Sequence, residues 1–207
     1  MRRILARLSG PLVTTMVLGV PLPAQAPGGS PFSAGGVLRT SALVDSVYLD
    51  RTRLDGTADG GDFTSYLLAR LGVRRIPDDL GFRVAVDTGH ILISGTVADF
   101  PQESHAVLAP LFAFVGPETP ISAGVTLTRA GPRAVHFRLH SATLGGFLIP
   151  EALLQSVLGG VGAQYPALTA SGRDLYVEVP TDAGMNLVPG GIHLTAPPPP
   201  AATDTLH

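Results

Sequence analysis

Apolar and polar residues alternate with a period of two in the middle of the chain, and this pattern predicts a β-hairpin. Phe82, Val84 and Val86 alternate with polar or small residues, and Asp87-Thr88-Gly89 interrupts the pattern before it resumes at Ile91. A period of two is typical of strands that bury one face, and Asp and Gly favour the turn between them. Pro101 then opens a predicted helix, whose apolar face consists of Val107, Leu108, Leu111, Phe112 and Val115.

The same order of elements recurs further along the chain. A second hairpin is predicted from Val125 through a turn at Ala130-Gly131-Pro132 to Leu139. Pro150 opens a second helix, whose apolar side consists of Leu153, Leu154, Val157, Leu158 and Val161. Gly159, Gly160 and Gly162 each cost about 1 kcal/mol relative to alanine inside a helix. We interpret them as an early end of the helix at Gly159; the alternative is the close approach of a strand backbone or an apolar ligand chain.

Weaker patterns flank these two units. Ser41 to Leu54 is interpreted as an edge strand and Asp55 to Asp62 as an Asp/Gly-rich loop. A short helix capped by Asp62 and ended by Gly72 follows, in which Phe63, Tyr66, Leu67 and Leu71 recur at helical spacing. Two closing strands are predicted at Leu175 to Val179 and Met185 to Leu194. The predicted fold is therefore α+β: a curled, largely antiparallel sheet packs on two amphipathic helices, as two hairpin-plus-helix units plus closing strands.

The first 26 residues have the features of an export signal. Arg2, Arg3 and Arg7 precede an apolar run from Leu8 to Leu22, and Ala24-Gln25-Ala26 provides a cleavage site. We expect cleavage after Ala26 and a soluble periplasmic or extracellular product, without a transmembrane span in the mature chain. Residues 27–40 are expected to form a disordered linker, 41–195 a single domain and 196–207 a disordered Pro-rich tail.

Composition and charge exclude several functions. The chain has no cysteine, which excludes disulfides, thiolate metal sites and a cysteine nucleophile. All 14 basic residues are arginines, which excludes a Walker A lysine and a Schiff-base lysine. Removal of the signal leaves 11 arginines against 16 acidic residues, so nucleic acid is not an expected partner.

No motif in the chain predicts a catalytic or metal site. His136 and His140 flank Arg138 on one face of a strand, too far apart to share a metal ion, and are interpreted as a solvated row. The aspartates between Asp55 and Asp62 lack the acid that a calcium loop needs where Tyr66 stands. The sequence therefore predicts a non-enzymatic protein without catalytic residues, metal or cofactor.

A family resemblance rests on the second half of the chain. The segment from Phe137 to Val179, with its junction Phe147-Leu148-Ile149-Pro150 and the later Tyr165-Pro166-Ala167-Leu168, resembles the C-terminal half of bacterial envelope proteins related to the tubular lipid-binding (TULIP) superfamily. The similar pattern extends over about Phe82 to Leu194. The resemblance implies a curled sheet that wraps a helix and leaves an apolar groove for acyl chains. The residues that would line this groove are Leu153, Leu154, Val157 and Leu158, to which the helix faces add Phe112 and Val161.

A second resemblance covers only about Leu80 to Val115. Val84-Ala85-Val86-Asp87 and Ile91 to Val97, followed by a helix, are similar to the small BON-type domains of the bacterial envelope. The leading hypothesis is a secreted envelope protein that binds or shuttles a lipid or other apolar molecule. The alternative is a non-enzymatic interaction or scaffold module that binds an envelope protein partner, and a hydrolase with scattered catalytic residues comes third.

Overall fold

The computed structural model describes the chain between Gly28 and Pro199, with gaps. The described residues are 28–73, 76, 80–100, 108–109, 112–113, 115–164, 168 and 171–199, and the side chains of 160–164 are excluded. The predicted signal peptide, residues 200–207 of the predicted tail and most of the predicted helix after Pro101 lie outside the described residues.

The described elements include three α-helices and ten strands. In chain order they are β1 (Ser30–Pro31), α1 (Ala34–Val44), a π-helical turn (Asp45–Leu49), β2 (Asp55–Asp59), α2 (Gly60–Arg70), β3 (Arg83–Val86), β4 (Ile91–Thr96), a 3₁₀ turn (Val97–Asp99), β5 (Pro120–Gly131), β6 (Ala134–Leu144), β7 (Phe147–Leu148), α3 (Glu151–Gln164), β8 (Asp174–Glu178), β9 (Gly184–Val188) and β10 (Gly191–Thr195).

The strands form two antiparallel sheets. The large sheet has the order β1-β3-β4-β5-β6-β7, and β8 pairs with the other end of the same edge of β6. The small sheet has the order β2-β10-β9. The α+β class with largely antiparallel sheets is confirmed, and so are both hairpins. In the first turn, the Asp87 carboxylate accepts hydrogen bonds from the backbone N–H of Gly89 at 2.6 Å and of His90 at 2.8 Å.

The predicted linker 27–40 and the predicted edge strand Ser41 to Leu54 are wrong. From Ala34 to Leu49 the chain is helical, and the Ser33 side chain accepts a hydrogen bond from Gly36 N–H as the N-cap. The buried positions Gly36, Thr40, Leu43 and Val47 follow a helical spacing across the boundary that the sequence interpretation placed at Ser41. The folded domain therefore begins before Phe32, whose buried ring lies 6.2 Å from that of Phe82.

The predicted loop Asp55 to Asp62 is also wrong, because its first five residues form β2. Each of them pairs with a residue of β10, more than 130 positions away. Asp59, rather than Asp62, caps α2 by accepting a hydrogen bond from Gly61 N–H, whereas Asp62 forms an ion pair with Arg39 at 2.6 Å. Gly72 follows the helix with φ of +97°, and this part of the prediction is confirmed.

The last predicted strand, Met185 to Leu194, is two strands. Gly190, with φ of +86°, turns β9 into β10, and both belong to the small sheet instead of closing the large one. The predicted end of the second helix at Gly159 is wrong as well, since α3 continues to Gln164. A side chain at Gly159 would meet nothing within 4 Å, so close packing does not require this glycine.

The hydrophobic core has two parts. The larger cluster fills the space between α1, α2, the large sheet and the small sheet, and its largest fully buried apolar side chains are Val47, Phe63, Val84, Val135, Ile192 and Leu194. A smaller cluster lies between α3 and the end of β6, with Ala142, Ile149, Leu154 and Val157 among its buried residues. Helix α2 belongs to the larger cluster, and its packing positions the candidate site.

Candidate functional site

The first turn of helix α2 packs closely on the large sheet. A Cβ at Gly60 would lie 2.7 Å from a methyl of Val86, and one at Gly61 would lie 2.2 Å from the carbonyl oxygen of Pro31. These two glycines allow the backbone of α2 to contact β1 and β3 directly. The following turns, from Thr64 to Leu71, face β4, β5 and β6 across two cavities.

The first cavity has a volume of about 260 Å³ and an apolar wall. Ala123 and Ala142 face each other across β5 and β6, and both line it, so two small side chains create part of the space. The aromatic rings of Phe82 and Phe100, in an edge-to-face contact at 4.8 Å, form another wall. The remaining lining residues are Phe32, Thr64, Leu68, Ile93, Ile121 and Ser122.

The second cavity, of about 230 Å³, lies beside the first. Thr64, Leu68 and Ile93 line both cavities, so the two share a wall. The other lining residues of the second cavity are Leu67, Leu71, Ile91, Val125, Phe137, Leu139, Leu168, Arg173 and Leu175. Each cavity alone is smaller than the about 300–1,000 Å³ of typical small-molecule sites, whereas the two together reach that range.

Polar groups in the cavity walls are few. The Thr64 hydroxyl donates a hydrogen bond to the carbonyl of Gly60, one turn earlier in α2, so it is already satisfied. Arg173 is the one charged residue among the described lining residues of the two cavities. The site can therefore bury hydrocarbon, while its single charge is positive.

The residues predicted from the helix faces lie beside the cavities. Leu154 and Val157 are buried in the smaller core cluster, against which Leu153, Leu158 and Phe112 pack. None of these five lines either cavity, although Phe112 contacts the cavity residue Phe100 with ring centroids 5.3 Å apart. The side chain of Val161 lies outside the described part of the chain. Contact of these six residues with a ligand stays a prediction.

The histidine row lies on the opposite face of the large sheet. His136 Nε2 is 2.7 Å from the Asp174 carboxylate, and its ring stacks on Tyr176 with centroids 4.6 Å apart. Its neighbours Val135 and Phe137 are buried on the side that faces α2. Across the described residues, no group of three or more His, Asp or Glu side chains is arranged to hold a metal ion.

The groups with shifted pKa values lie outside the cavity walls. Burial raises the pKa of Tyr48 to about 12. Hydrogen bonds from the backbone of Gly89 and His90 lower the pKa of Asp87 in the first hairpin turn. The side-chain hydrogen bond with Asp62 raises the pKa of Arg39 on α1. None of these three side chains lines either cavity.

Sequence reasoning placed the groove on the second predicted helix, α3, and did not single out the space between α2 and the large sheet. The spacing of Leu67 and Leu71 predicted the apolar face of α2, and these residues line the second cavity. What covers that face depends on the sheet arrangement, which no local pattern indicates. Compared with known proteins, the chain has no significant match to a family model, a curated protein or a solved structure. Within its described part, no helix is long and apolar enough to cross a membrane.

Proposed function

We propose that this protein binds a lipid or a similar apolar ligand between α2 and the large sheet. The observation that carries the proposal is the pair of adjoining apolar cavities. Each buried methylene group would contribute about 0.8 kcal/mol to binding, so a chain that occupies both cavities would bind without many polar contacts. The TULIP resemblance led to the same ligand class, but the proposed site lies under α2 instead of α3.

The cavity walls favour a flexible chain over a flat ring system. The shared wall of Thr64, Leu68 and Ile93 would have to move slightly for one ligand to enter both cavities, and Leu68 has the rotamer freedom to do so. An acyl chain can bend around such a constriction. Export through the N-terminal signal belongs to the same proposal, because an apolar molecule needs a carrier to cross an aqueous compartment.

The proposal is tested by blocking the first cavity. N-phenyl-1-naphthylamine, a neutral apolar fluorophore, should become fluorescent on binding to the purified protein, and hexadecan-1-ol should displace it. Ala123→Leu inserts three heavy atoms into the cavity and should weaken hexadecanol binding about 10-fold, since overpacking of this size costs about 1–3 kcal/mol. The matched control is Ala130→Leu, at an exposed position on the same strand.

Two results would contradict the proposal. One is a wild-type protein that shows no fluorescence enhancement with the probe. The other is equal hexadecanol affinity in Ala123→Leu and Ala130→Leu, which would mean that hexadecanol binds outside the first cavity.

A second candidate function is supported by the apolar edge formed by β7. Phe147 and Leu148 are 81% and 68% exposed, and β7 pairs only with the end of β6. Exposed apolar side chains on a sheet edge are typical of surfaces that pair with another protein. As this alternative, we propose that an envelope protein partner binds there. Crosslinking in the envelope fraction should then give an adduct that Phe147→Ser removes, whereas an unchanged adduct would contradict it.

A further inference from the structure

Arg173 lies where an apolar cavity meets the protein surface. Its side chain is only 12% exposed, and it lines the second cavity together with Leu139 and Leu175. An arginine that is this buried needs partners for its charge, because transfer of an unpaired cation out of water is costly. The hydrogen-bond partners of Arg173 therefore indicate which kind of ligand the second cavity binds.

The position of Arg173 is fixed by its own backbone and side chain. Leu139 N–H donates a hydrogen bond to the Arg173 carbonyl at 2.9 Å, and Arg173 Nε donates one to the Leu139 carbonyl at 3.3 Å. The preceding Gly172 has φ of +67°, and a Cβ there would lie 2.0 Å from the carbonyl oxygen of Leu158. The guanidinium is thus held in place between β6 and α3 before any ligand arrives.

Not every N–H group of the Arg173 guanidinium is bonded within the described part of the chain. Nη1 donates to the Glu151 carboxylate, which is 58% exposed and therefore strongly hydrated. With Nε bonded to Leu139, three of the five N–H donors of Arg173 have no partner among the described residues. Arginine binds carboxylates through two parallel N–H groups, a geometry that these remaining donors can offer.

We propose that Arg173 binds the carboxylate head group of a long-chain fatty acid whose chain occupies the two cavities. This inference rests on the proposed function and adds the chemical class and orientation of the ligand. The head group lies at Arg173 in the second cavity, and the chain passes Thr64 and Leu68 toward Ala123 in the first. The first cavity has no charged side chain among its described lining residues, which suits the hydrocarbon end.

The experiment compares two ligands that differ only in their head group. Hexadecanoic acid and hexadecan-1-ol compete with N-phenyl-1-naphthylamine for the purified protein, and the ratio of their affinities is measured for each variant. Wild-type protein should favour the acid by about 10-fold or more, since hydrogen bonds to a charged group contribute about 1.5–3 kcal/mol. Arg173→Gln should abolish this preference because it weakens binding of the acid much more than binding of the alcohol, whereas Arg173→Lys should retain part of the preference.

Glu151→Gln separates recognition from structural support. It removes the charged partner of Arg173 but leaves the guanidinium free for the ligand, so the preference for the acid should persist or increase. If Arg173 only holds α3 in place, then Arg173→Gln and Glu151→Gln should weaken both ligands equally, and the proposal would be overturned. The surface variant Arg133→Gln controls for general loss of positive charge.

The outcomes distinguish this inference from the proposed function. If wild-type protein binds both ligands with equal affinity, the site binds apolar chains and the head-group assignment fails. The same conclusion follows if Arg173→Gln keeps the wild-type preference. If neither ligand displaces the probe, the proposed function itself fails, and the head-group assignment fails with it.

Discussion

Two regions on either side of α2 differ in how completely they are packed. The close-packed region, formed by Val47, Phe63, Ile192 and Leu194, has essentially no exposed side-chain surface. In the hollow region, where Thr64, Leu68 and Ile93 separate the two cavities, the same helix faces the large sheet and leaves space in front of it. Unfilled apolar space costs stability, because its lining atoms lose dispersion contacts. The chain can fill a core completely, and the contrast therefore supports a binding role for the hollow region.

The largest expected contrast comes from truncating one aliphatic side chain in each region. Ile192→Ala should lower the free energy of unfolding by about 2–5 kcal/mol, because Ile192 is fully buried and a new void would open around it. Leu68→Ala should cost only about 1 kcal/mol, since this side chain already borders open space on two sides. Urea unfolding followed by far-UV circular dichroism measures both. Equal losses would mean that the hollow region is filled in solution.

Enlarging a small side chain should change stability with opposite sign in the two regions. Ala58→Leu, at a buried position of β2, should cost about 1–3 kcal/mol because no space is available. Ala123→Leu should instead raise the free energy of unfolding by about 0.5–2 kcal/mol, since it fills the first cavity. Thermal unfolding of both variants without ligand tests this. A loss of stability in Ala123→Leu would contradict the assignment of open space.

The sequence predicted the elements that local contacts determine and missed those that depend on distant pairing. Both hairpins were predicted because their strands alternate and their turns are local, as the Asp87 turn shows. The strand β2 was missed because Asp55-Gly56-Thr57-Ala58-Asp59 has no strand pattern of its own. It is extended because it pairs with β10, which is distant in sequence. Tertiary pairing outweighed local preference there.

The candidate site was only partly predictable for the same reason. The apolar spacing of α2 was visible in Leu67 and Leu71, but the space in front of them arises from Ala123 and Ala142 on another hairpin. Arg173 follows Ser171 and Gly172 in a short loop without any local signal of a binding role. Its significance depends on Leu139 and Glu151, which only the fold brings to it.

Tyr48 follows Val47 of the close-packed region, and the pH dependence of stability at Tyr48 tests how well this region excludes water. Its hydroxyl donates a hydrogen bond to the Gly184 carbonyl at 2.6 Å, linking the π-helical turn to the small sheet. Tyr48→Phe should cost about 1 kcal/mol at neutral pH. Burial raises the pKa of Tyr48 from 10.0 to about 12, so the folded state keeps a proton that the unfolded state loses above pH 10. Stability from Tyr48 is therefore present below pH 10 and is lost as pH rises toward 12.

The measurement is urea unfolding of wild-type and Tyr48→Phe protein between pH 8 and pH 12. The stability difference between them should shrink as pH rises above 10, because only the wild-type protein contains this titrating group. A constant difference would mean that Tyr48 ionises as easily in the folded protein as in the unfolded chain. The close-packed region would then admit water at this side chain.

The smallest expected effect concerns one polar atom in the close-packed part of the molecule. Thr40 on α1 is 1% exposed, and its hydroxyl oxygen has no hydrogen-bond partner among the described residues. A buried hydroxyl without a partner is destabilising, whereas valine has the same shape and no such group. Thr40→Val should therefore raise the free energy of unfolding by about 0.5–1 kcal/mol, measured by urea unfolding. Thr40→Ser, which keeps the hydroxyl and removes the methyl, should lower stability, so a gain in both variants would show that the hydroxyl is not the cause.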